Sequence, residues 1–195
     1  MKNEVGIDSL LKSLNQLSVL SFAAQEAIGA CFIPYYYKKR EIISEPGTIS
    51  NKILFITKGA VREFFFQDNN EKVTSWFGFE GDLAVSIASF LNQENSHSGF
   101  EALEDVACYG ILRNDLYRLY DEYHEIERLG RILAEKYLIK IESFHNESKY
   151  NSAIERYEIL ISERPEIVQR VSSKHIATFL GVSTETLSRI RGKKL

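Results

Sequence analysis

The feature that most constrains the fold of this chain is a change of side-chain pattern near residues 31 and 111. Between these positions β-branched and aromatic runs are interrupted by turn-forming residues at intervals of roughly 8–12 residues. The strand-like runs lie at 32–37, 53–56, 61–66 and 73–77. Such short strands predict a small antiparallel sandwich or barrel, a β-roll, flanked by helical segments. The predicted fold class is therefore α+β.

The segments on either side of this β-rich region have helical spacing. Residues 7–28 predict one or two short helices. Residues 123–144 predict an amphipathic helix of about six turns, which we expect to pair with the same helix of a second copy. The predicted contacts between the two copies are Ile126, Leu129, Leu133, Tyr137, Ile141 and Phe144. Ile132 and Ile139 lie off this stripe, and the polar residues 145–152 predict a hinge before a further helix at 153–163.

The C-terminal residues 173–190 contain the most specific local pattern of the chain. A helix-turn-helix needs a small residue where its helices cross and a glycine in the turn, which Ala177 and Gly181 supply. Ser183 is placed to cap the second helix. The inner apolar face is predicted to consist of Ile176, Leu180, Val182, Leu187 and Ile190. An ordinary helical hairpin is the alternative interpretation.

The second helix of this motif predicts a DNA-reading face. Arg189 can donate two hydrogen bonds to guanine, and Glu185 can accept one from cytosine. The other polar and basic residues are suited to bases or phosphates, with the Ser173 amide at a helix N-terminus. The predicted DNA-binding residues are Ser173, Lys174, Thr184, Glu185, Ser188, Arg189, Arg191 and Lys193, with Lys194 beside them.

The charge of the chain is divided unequally between its parts. The net charge of −3 at pH 7 would argue against nucleic-acid binding if it were evenly spread. However, residues 170–195 hold six basic residues and one acidic residue, a net +5, while the other 169 residues hold 18 basic and 26 acidic residues, a net −8. The division therefore supports DNA binding by the C-terminal segment.

Several other classes of protein are not supported. Cys31 and Cys108 are too few for a disulfide framework or a thiolate metal site, and two buried thiols are expected. The sequence shows no export signal, membrane span or lipidation motif, so a soluble, reduced, cytoplasmic protein is expected. The four histidines are scattered, and no catalytic motif is found. We therefore expect neither a metal, nor a cofactor, nor an enzyme, although a cupin-like enzyme built on the β-roll is an alternative.

The order of these parts resembles the family of the cyclic-AMP receptor protein and the FNR-type regulators. The resemblance is based on 45–47, 53–62, 79–83 and 176–191. The stretch from Ala177 to Arg191 resembles the branch common in Bacteroidetes. It implies a jelly-roll effector domain at 1–122, a dimerisation helix at 123–146 and a helix-turn-helix DNA-binding domain at 147–195. It also implies a homodimer on a palindromic operator in double-stranded DNA. RNA polymerase and a small-molecule effector are the further partners implied.

Two departures from the family limit this resemblance. The family's Gly-Glu-Leu step and phosphate-binding Arg fall on 85–87 and on Ser96, so both charged anchors are missing. A phosphate without a cation loses about 1.5–3 kcal/mol, so we predict that cyclic AMP binds poorly or not at all. An effector pocket for a less charged molecule is predicted from Ser86, Ile87, Phe90, Ser96, His97 and Phe100. The six residues after Arg189 leave no room for a full β-hairpin wing, so a domain lacking that wing is expected.

Two alternatives stay open for the β-roll. In the first, it senses an effector and shifts the long helix and the hinge, which changes the spacing of the two DNA-binding heads. In the second, the regulator is independent of any ligand and the β-roll is only a scaffold and dimer platform. The identity of the effector is not encoded in any motif of the sequence.

Overall fold

The computed structural model describes residues 6–192, and it confirms the predicted α+β class. The helices are α1 (Ile7–Leu17), α2 (Phe22–Cys31), α3 (Ile87–Asn92), α4 (Arg113–Glu122), α5 (His124–Tyr150), α6 (Ala153–Glu163), α7 (Ile167–Arg170), α8 (Ser173–Leu180) and α9 (Thr184–Gly192). The strands are β1 (Ile33–Tyr37), β2 (Ile42–Ser44), β3 (Lys52–Lys58), β4 (Val61–Phe66), β5 (Lys72–Gly78), β6 (Leu83–Ala84), β7 (Gly99–Ala102) and β8 (Val106–Leu112).

The strands form two four-stranded antiparallel sheets that make up a jelly-roll-like domain. One sheet has the order β1-β8-β3-β6 and the other the order β2-β7-β4-β5. Apolar side chains from both sheets, among them Ile56, Val61, Ala102 and Val106, are buried together. Removing this apolar surface from water is the main force that holds the domain together.

Helices α1, α2, α4 and the start of α5 cover one side of the β-roll. Their apolar residues share a core with Phe55 of β3 and Ile111 of β8. Leu119, Ile126 and Leu129 are almost fully buried in this core. The first turns of α5 are therefore fixed to their own chain.

The predicted hinge at residues 145–152 is wrong in its extent, because α5 continues as helix through Tyr150. The polar residues after Phe144 are compatible with a helix that is exposed to solvent on every side. The break is instead set by Ser152, which caps α6 and forms a reciprocal capping box with Glu155. The helix therefore extends past the predicted boundary at residue 146, and only Asn151 and Ser152 separate it from α6.

Helices α6 to α9 pack against the β-roll as well as against each other. Their buried residues, which include Ile167, Ile176 and Leu187, share a core with Phe77 and Phe79 of the β-roll. Within residues 6–192, no helix is both long and apolar enough to cross a membrane.

Candidate nucleic-acid interface and ligand cavity

The turn between α8 and α9 has the geometry that the sequence predicts. Gly181 has φ +67° and ψ 33°, the left-handed conformation that glycine adopts without steric cost. The amide of Val182 donates to the carbonyl of Ala177 at 3.0 Å, which closes the end of α8. Ser183 Oγ accepts from the Thr186 amide at 3.1 Å, so the predicted cap of α9 is confirmed.

The inner face of the helix-turn-helix is also confirmed. Its apolar residues hold α9 against α8 and against Tyr157 of α6. Val182 is partly buried, and the other members of the predicted set, Ile176, Leu180, Leu187 and Ile190, are almost fully buried, as is Ala177 beside them.

The outer face of α9 is exposed and polar. Thr184, Glu185, Ser188 and Arg189 all lie on it and are open to solvent. Arg189 makes no hydrogen bond or ion pair with any other residue in the described range. The pKa of Glu185 is lowered by hydrogen bonds from its own amide and from Ser183 and Thr184, so this side chain is an ionised acceptor. The face thus presents donors and acceptors that are exposed to solvent.

Two of the predicted phosphate-binding residues are paired with each other. Arg191 Nη1 donates to Ser173 Oγ at 2.8 Å, and Arg191 Nε donates to the Tyr157 hydroxyl at 3.2 Å. Arg191 therefore links α9 to α6 and α8 in addition to any role on DNA. Lys174 is exposed at the start of α8. Lys193, Lys194 and the predicted absence of a wing fall outside the described residues.

The predicted effector pocket is a cavity of about 290 Å³ between the β-roll and α5. Ser86, Ile87, Ser96 and His97 line it as predicted. Phe90 and Phe100 do not. Phe90 packs into the core with residues of α1 and α2. Phe100 packs between the sheets, edge-to-face on Trp76. Both rings are apolar and are more stable in a core than at an open cavity.

Glu63, which the sequence analysis missed, is the main charged group of this cavity. Glu63 Oε1 accepts from Ser98 Oγ at 2.5 Å, and Glu63 Oε2 accepts from Ser75 Oγ at 3.1 Å. Ser98 Oγ is also 3.3 Å from Ser86 Oγ and from Ser96 Oγ. A charged residue within the apolar run of β4 was the sequence signal that could have identified it.

Tyr137 of α5 lines the same cavity. Burial and the nearby Glu63 carboxylate both raise the pKa of the Tyr137 hydroxyl. The long helix and the β-roll therefore meet at this cavity through a neutral phenol that faces a carboxylate.

The predicted dimer stripe on α5 is used largely within the chain. Ile126 and Leu129 are buried in the chain's own core and Leu133 packs against it, so the prediction that they contact a second copy is wrong for the two buried residues. Tyr137 lines the cavity, and Phe144 contacts Phe179 of α8 with ring centroids 5.9 Å apart. The first part of the stripe faces inward because a helix that starts against a β-roll turns its apolar side toward that core.

The most exposed apolar residues of α5 lie off the predicted stripe. Leu138 and Ile139 are 65% and 66% exposed. Ile141 and Phe144 are about half exposed, at 46% and 47%. At 100° per residue, Ile139 lies on the side of the helix opposite Tyr137. Sequence periodicity alone could not show which side faces the β-roll.

Hydrogen bonds join helix α8 to the β-roll. Arg62, almost fully buried in β4, binds Glu101 at 2.7 Å and donates to His175 Nδ1 of α8 at 3.0 Å. Thr178 of α8 donates to Thr74 of β5 at 3.2 Å. Because Arg62 can only donate, the Nδ1 atom of His175 carries no proton.

Two further arginines make contacts of the same kind. Arg164 binds both carboxylate oxygens of Asp82 at 2.9 Å. Arg170 binds Glu80 and Glu104, each at 2.8 Å. Arg170 uses two nitrogens for each carboxylate, and such bidentate pairs fix orientation as well as distance. Helices α6, α7 and α8 are therefore linked to the β-roll by side-chain pairs that the sequence analysis did not predict.

Both cysteines are free thiols, and the expectation that both are buried is confirmed for Cys108 and wrong for Cys31. Cys108 is buried, and burial raises the pKa of its thiol to about 11. Cys31 is partly buried and accepts a contact from Arg118 at 3.3 Å. Among the described residues, no group of three or more His, Cys, Asp or Glu side chains is arranged to hold a metal ion.

Comparison with known proteins relates this fold to a domain family and to solved structures. The family model of the cyclic nucleotide-binding domain matches residues 34–123. No curated protein matches the chain in sequence. The chain is similar in structure to CLP, a c-di-GMP responsive global regulator of Xanthomonas campestris, with a TM-score of 0.68 and 17% identity over 89% of this chain and 91% of that one.

Two other solved structures give the same result. A regulator of the Crp/Fnr family from Eubacterium rectale has a TM-score of 0.67 and 18% identity over 88% of this chain and 82% of that one. FixK2 from Bradyrhizobium japonicum has a TM-score of 0.64 and 20% identity over 83% of each chain. At these identities the similarity establishes the fold.

Proposed function

Residues 34–123 belong to the cyclic nucleotide-binding domain family and the chain has the fold of the Crp/Fnr transcriptional regulators, and from this premise we propose that it is a homodimeric, sequence-specific DNA-binding regulator. Its partners are a palindromic operator, a second copy of the chain and, during transcription, RNA polymerase. It acts in the cytoplasm and not as an enzyme.

The observation that carries this proposal is the outer face of α9. Arg189 and Glu185 are exposed and chemically suited to guanine and cytosine, while Leu187 and Ile190 anchor the helix from the other side. In a dimer joined through α5, the two α9 helices would enter successive major grooves about 34 Å apart. Lys174 adds a phosphate contact at the start of α8.

We propose an effector other than cyclic AMP for the β-roll cavity. Among the described residues that line the cavity there is no Lys or Arg to balance a cyclic phosphate, and the Glu63 carboxylate would repel it. Micromolar binding of cyclic AMP in calorimetry would contradict this part of the proposal.

Replacing Arg189 tests the assignment of α9 to base reading. Arg189→Ala removes a bidentate contact worth about 1–3 kcal/mol, so we expect specific affinity to fall by roughly 5- to 150-fold. The measurement is a mobility-shift titration on DNA from upstream of the chain's own gene, with nonspecific DNA as competitor. Arg118→Ala, which removes an exposed arginine of α4, is the matched control and should bind like the wild type. Undiminished specific binding by Arg189→Ala would refute the assignment.

A further inference from the structure

The cavity between the β-roll and α5 has an electrostatic character that defines the class of ligand it can hold. This inference rests on the proposed function, because it names the ligand class of the sensing cavity. The cavity volume of about 290 Å³ is roughly that of ten water molecules, which suits a small metabolite. Exposed Ala88, Asn95 and His97 lie at its rim and leave it open to solvent.

The ionised groups of the lining are carboxylates. Glu63 lies on the β4 wall and Glu94 on the exposed rim, and no Lys or Arg lines the described cavity. The two hydroxyls that bind Glu63, from Ser75 and Ser98, are neutral donors and leave its charge uncompensated. A carboxylate has about four acceptor sites, so Glu63 retains capacity for more donors. A half-buried charge without an opposite charge is costly, and a cation would relieve that cost.

The remaining lining supplies hydroxyls and an aromatic ring. Ser86, Ser89 and Ser96 are buried and line the cavity. Ser86 Oγ has one long contact, at 3.3 Å, to Ser98 Oγ. Tyr137 covers the cavity from α5, and an aromatic ring attracts a cation placed over its face.

We infer that this cavity binds a small organic cation, a primary amine or a guanidine, whose N–H groups donate to Glu63 and whose carbon body contacts Tyr137. The serine hydroxyls accept the remaining donors of the ligand. The cation is organic and not a metal ion, because the described residues bring together no set of metal ligands.

Ligand binding in this cavity affects the position of α5, because Tyr137 of that helix lines it. Tyr137 immediately precedes Leu138 and Ile139, the most exposed apolar residues of that helix. A ligand held between Glu63 and Tyr137 therefore fixes α5 relative to the β-roll, while Leu138 and Ile139 face solvent on other sides of the same helical turn. This provides a physical route from the cavity to the spacing of the two recognition helices.

The first experiment measures binding of matched probes to the full chain by calorimetry. The cations are tyramine, agmatine and choline, and the anions are 3-(4-hydroxyphenyl)propionate, succinate and cyclic AMP, all at up to millimolar concentration. The variants are Glu63→Gln, which removes the inner charge at constant shape, and Glu94→Gln, which removes the rim charge. We expect at least one N–H-bearing cation, tyramine or agmatine, to bind. We expect Glu63→Gln to weaken it at least tenfold and Glu94→Gln to weaken it less.

The second experiment tests charge selection without depending on ligand identity. Ala88→Cys in a Cys31→Ser background places one accessible thiol at the cavity rim, since Cys108 is buried. The rates of labelling by a cationic and an anionic methanethiosulfonate are compared, each normalised to its rate with a free thiol. We expect the cation to be favoured about tenfold or more, and Glu63→Gln to reduce that preference.

The proposal is supported when both results hold. It is overturned when neither tyramine nor agmatine binds, when the anions bind as well as the cations, or when Glu63→Gln leaves binding and labelling unchanged. None of these measurements involves DNA. A negative result therefore leaves the DNA-binding assignment intact, and loss of the Arg189 effect leaves the cavity assignment intact.

Discussion

At the scale of single residues, the turn between α8 and α9 depends on Gly181. A Cβ atom at this position would meet no other atom within 4 Å, so space is not the constraint. The constraint is the backbone, because a φ of +67° brings a Cβ close to the adjacent carbonyl in any L-residue. The turn geometry was predictable from the sequence because glycine is the residue that adopts this conformation freely.

Replacing Gly181 should therefore destabilise the fold without disturbing its packing. For Gly181→Ala we expect the free energy of unfolding to fall by about 1–2 kcal/mol, measured by denaturant titration. Gly192→Ala is the matched control, because Gly192 lies in open space in α9 and has no left-handed φ. It should be neutral or slightly stabilising. Equal stability of Gly181→Ala and the wild type would show that the turn tolerates another conformation.

At the scale of elements, α5 shows what periodicity can and cannot predict. Its existence and amphipathic character were predictable, because apolar residues recur at three- and four-residue steps. The partner that its apolar stripe contacts was not predictable, because the same spacing occurs in helices that pack on a core and in helices that form a dimer interface. The structure assigns Ile126 and Leu129 to the chain's own core and leaves Leu138 and Ile139 exposed.

If α5 joins two copies, Leu138 and Ile139 should contribute to the interface. Leu138→Glu combined with Ile139→Glu places charges where the two helices would meet, so we expect the dimer to dissociate at least tenfold more readily. Sedimentation or light scattering measures this, and operator affinity should fall in parallel. The monomer should stay folded because both side chains are largely exposed.

The control for this variant is another exposed apolar residue. Val19→Glu changes a side chain that is 78% exposed in the connection between α1 and α2, far in sequence from α5. It should leave the oligomeric state unchanged. A double variant that remains dimeric at the concentration of the wild type would exclude this face of α5 as the interface.

At the scale of the whole molecule, the helix-turn-helix is docked on the β-roll by polar groups that lie far apart in sequence. Arg62 and His175 are separated by 113 residues, and Arg164 and Asp82 by 82. No local pattern specifies such pairs, since a charged residue in a sequence does not indicate its partner. The sequence therefore predicted the helix-turn-helix and four residues of the cavity lining, but not Glu63. It also did not predict that Arg62 and Asp82 connect the β-roll to helices α8 and α6.

This docking should depend on pH through His175. Burial, and then the charge of Arg62, lower its pKa from 6.5 to about 4, while Glu101 opposes the shift and Lys174 and Lys72 add to it. The docked state holds His175 neutral, whereas the undocked or unfolded chain binds a proton near pH 6.5. The stabilisation that neutral His175 provides is therefore complete above about pH 6.5 and is lost as the pH falls toward about 4.

The free energy of unfolding at pH 7 and pH 5 tests this linkage. One proton contributes at most about 1.4 kcal/mol per pH unit, and the partial exposure of His175 reduces that value. His175→Gln keeps an acceptor for Arg62 but cannot be protonated, so it should lose less stability between the two pH values than the wild type. His124→Gln, whose side chain is 98% exposed, should behave like the wild type. Acid also protonates carboxylates in every variant, so only the difference between the His175 and His124 variants isolates the effect of His175. If both variants lose the same stability between pH 7 and pH 5, His175 does not control the docking.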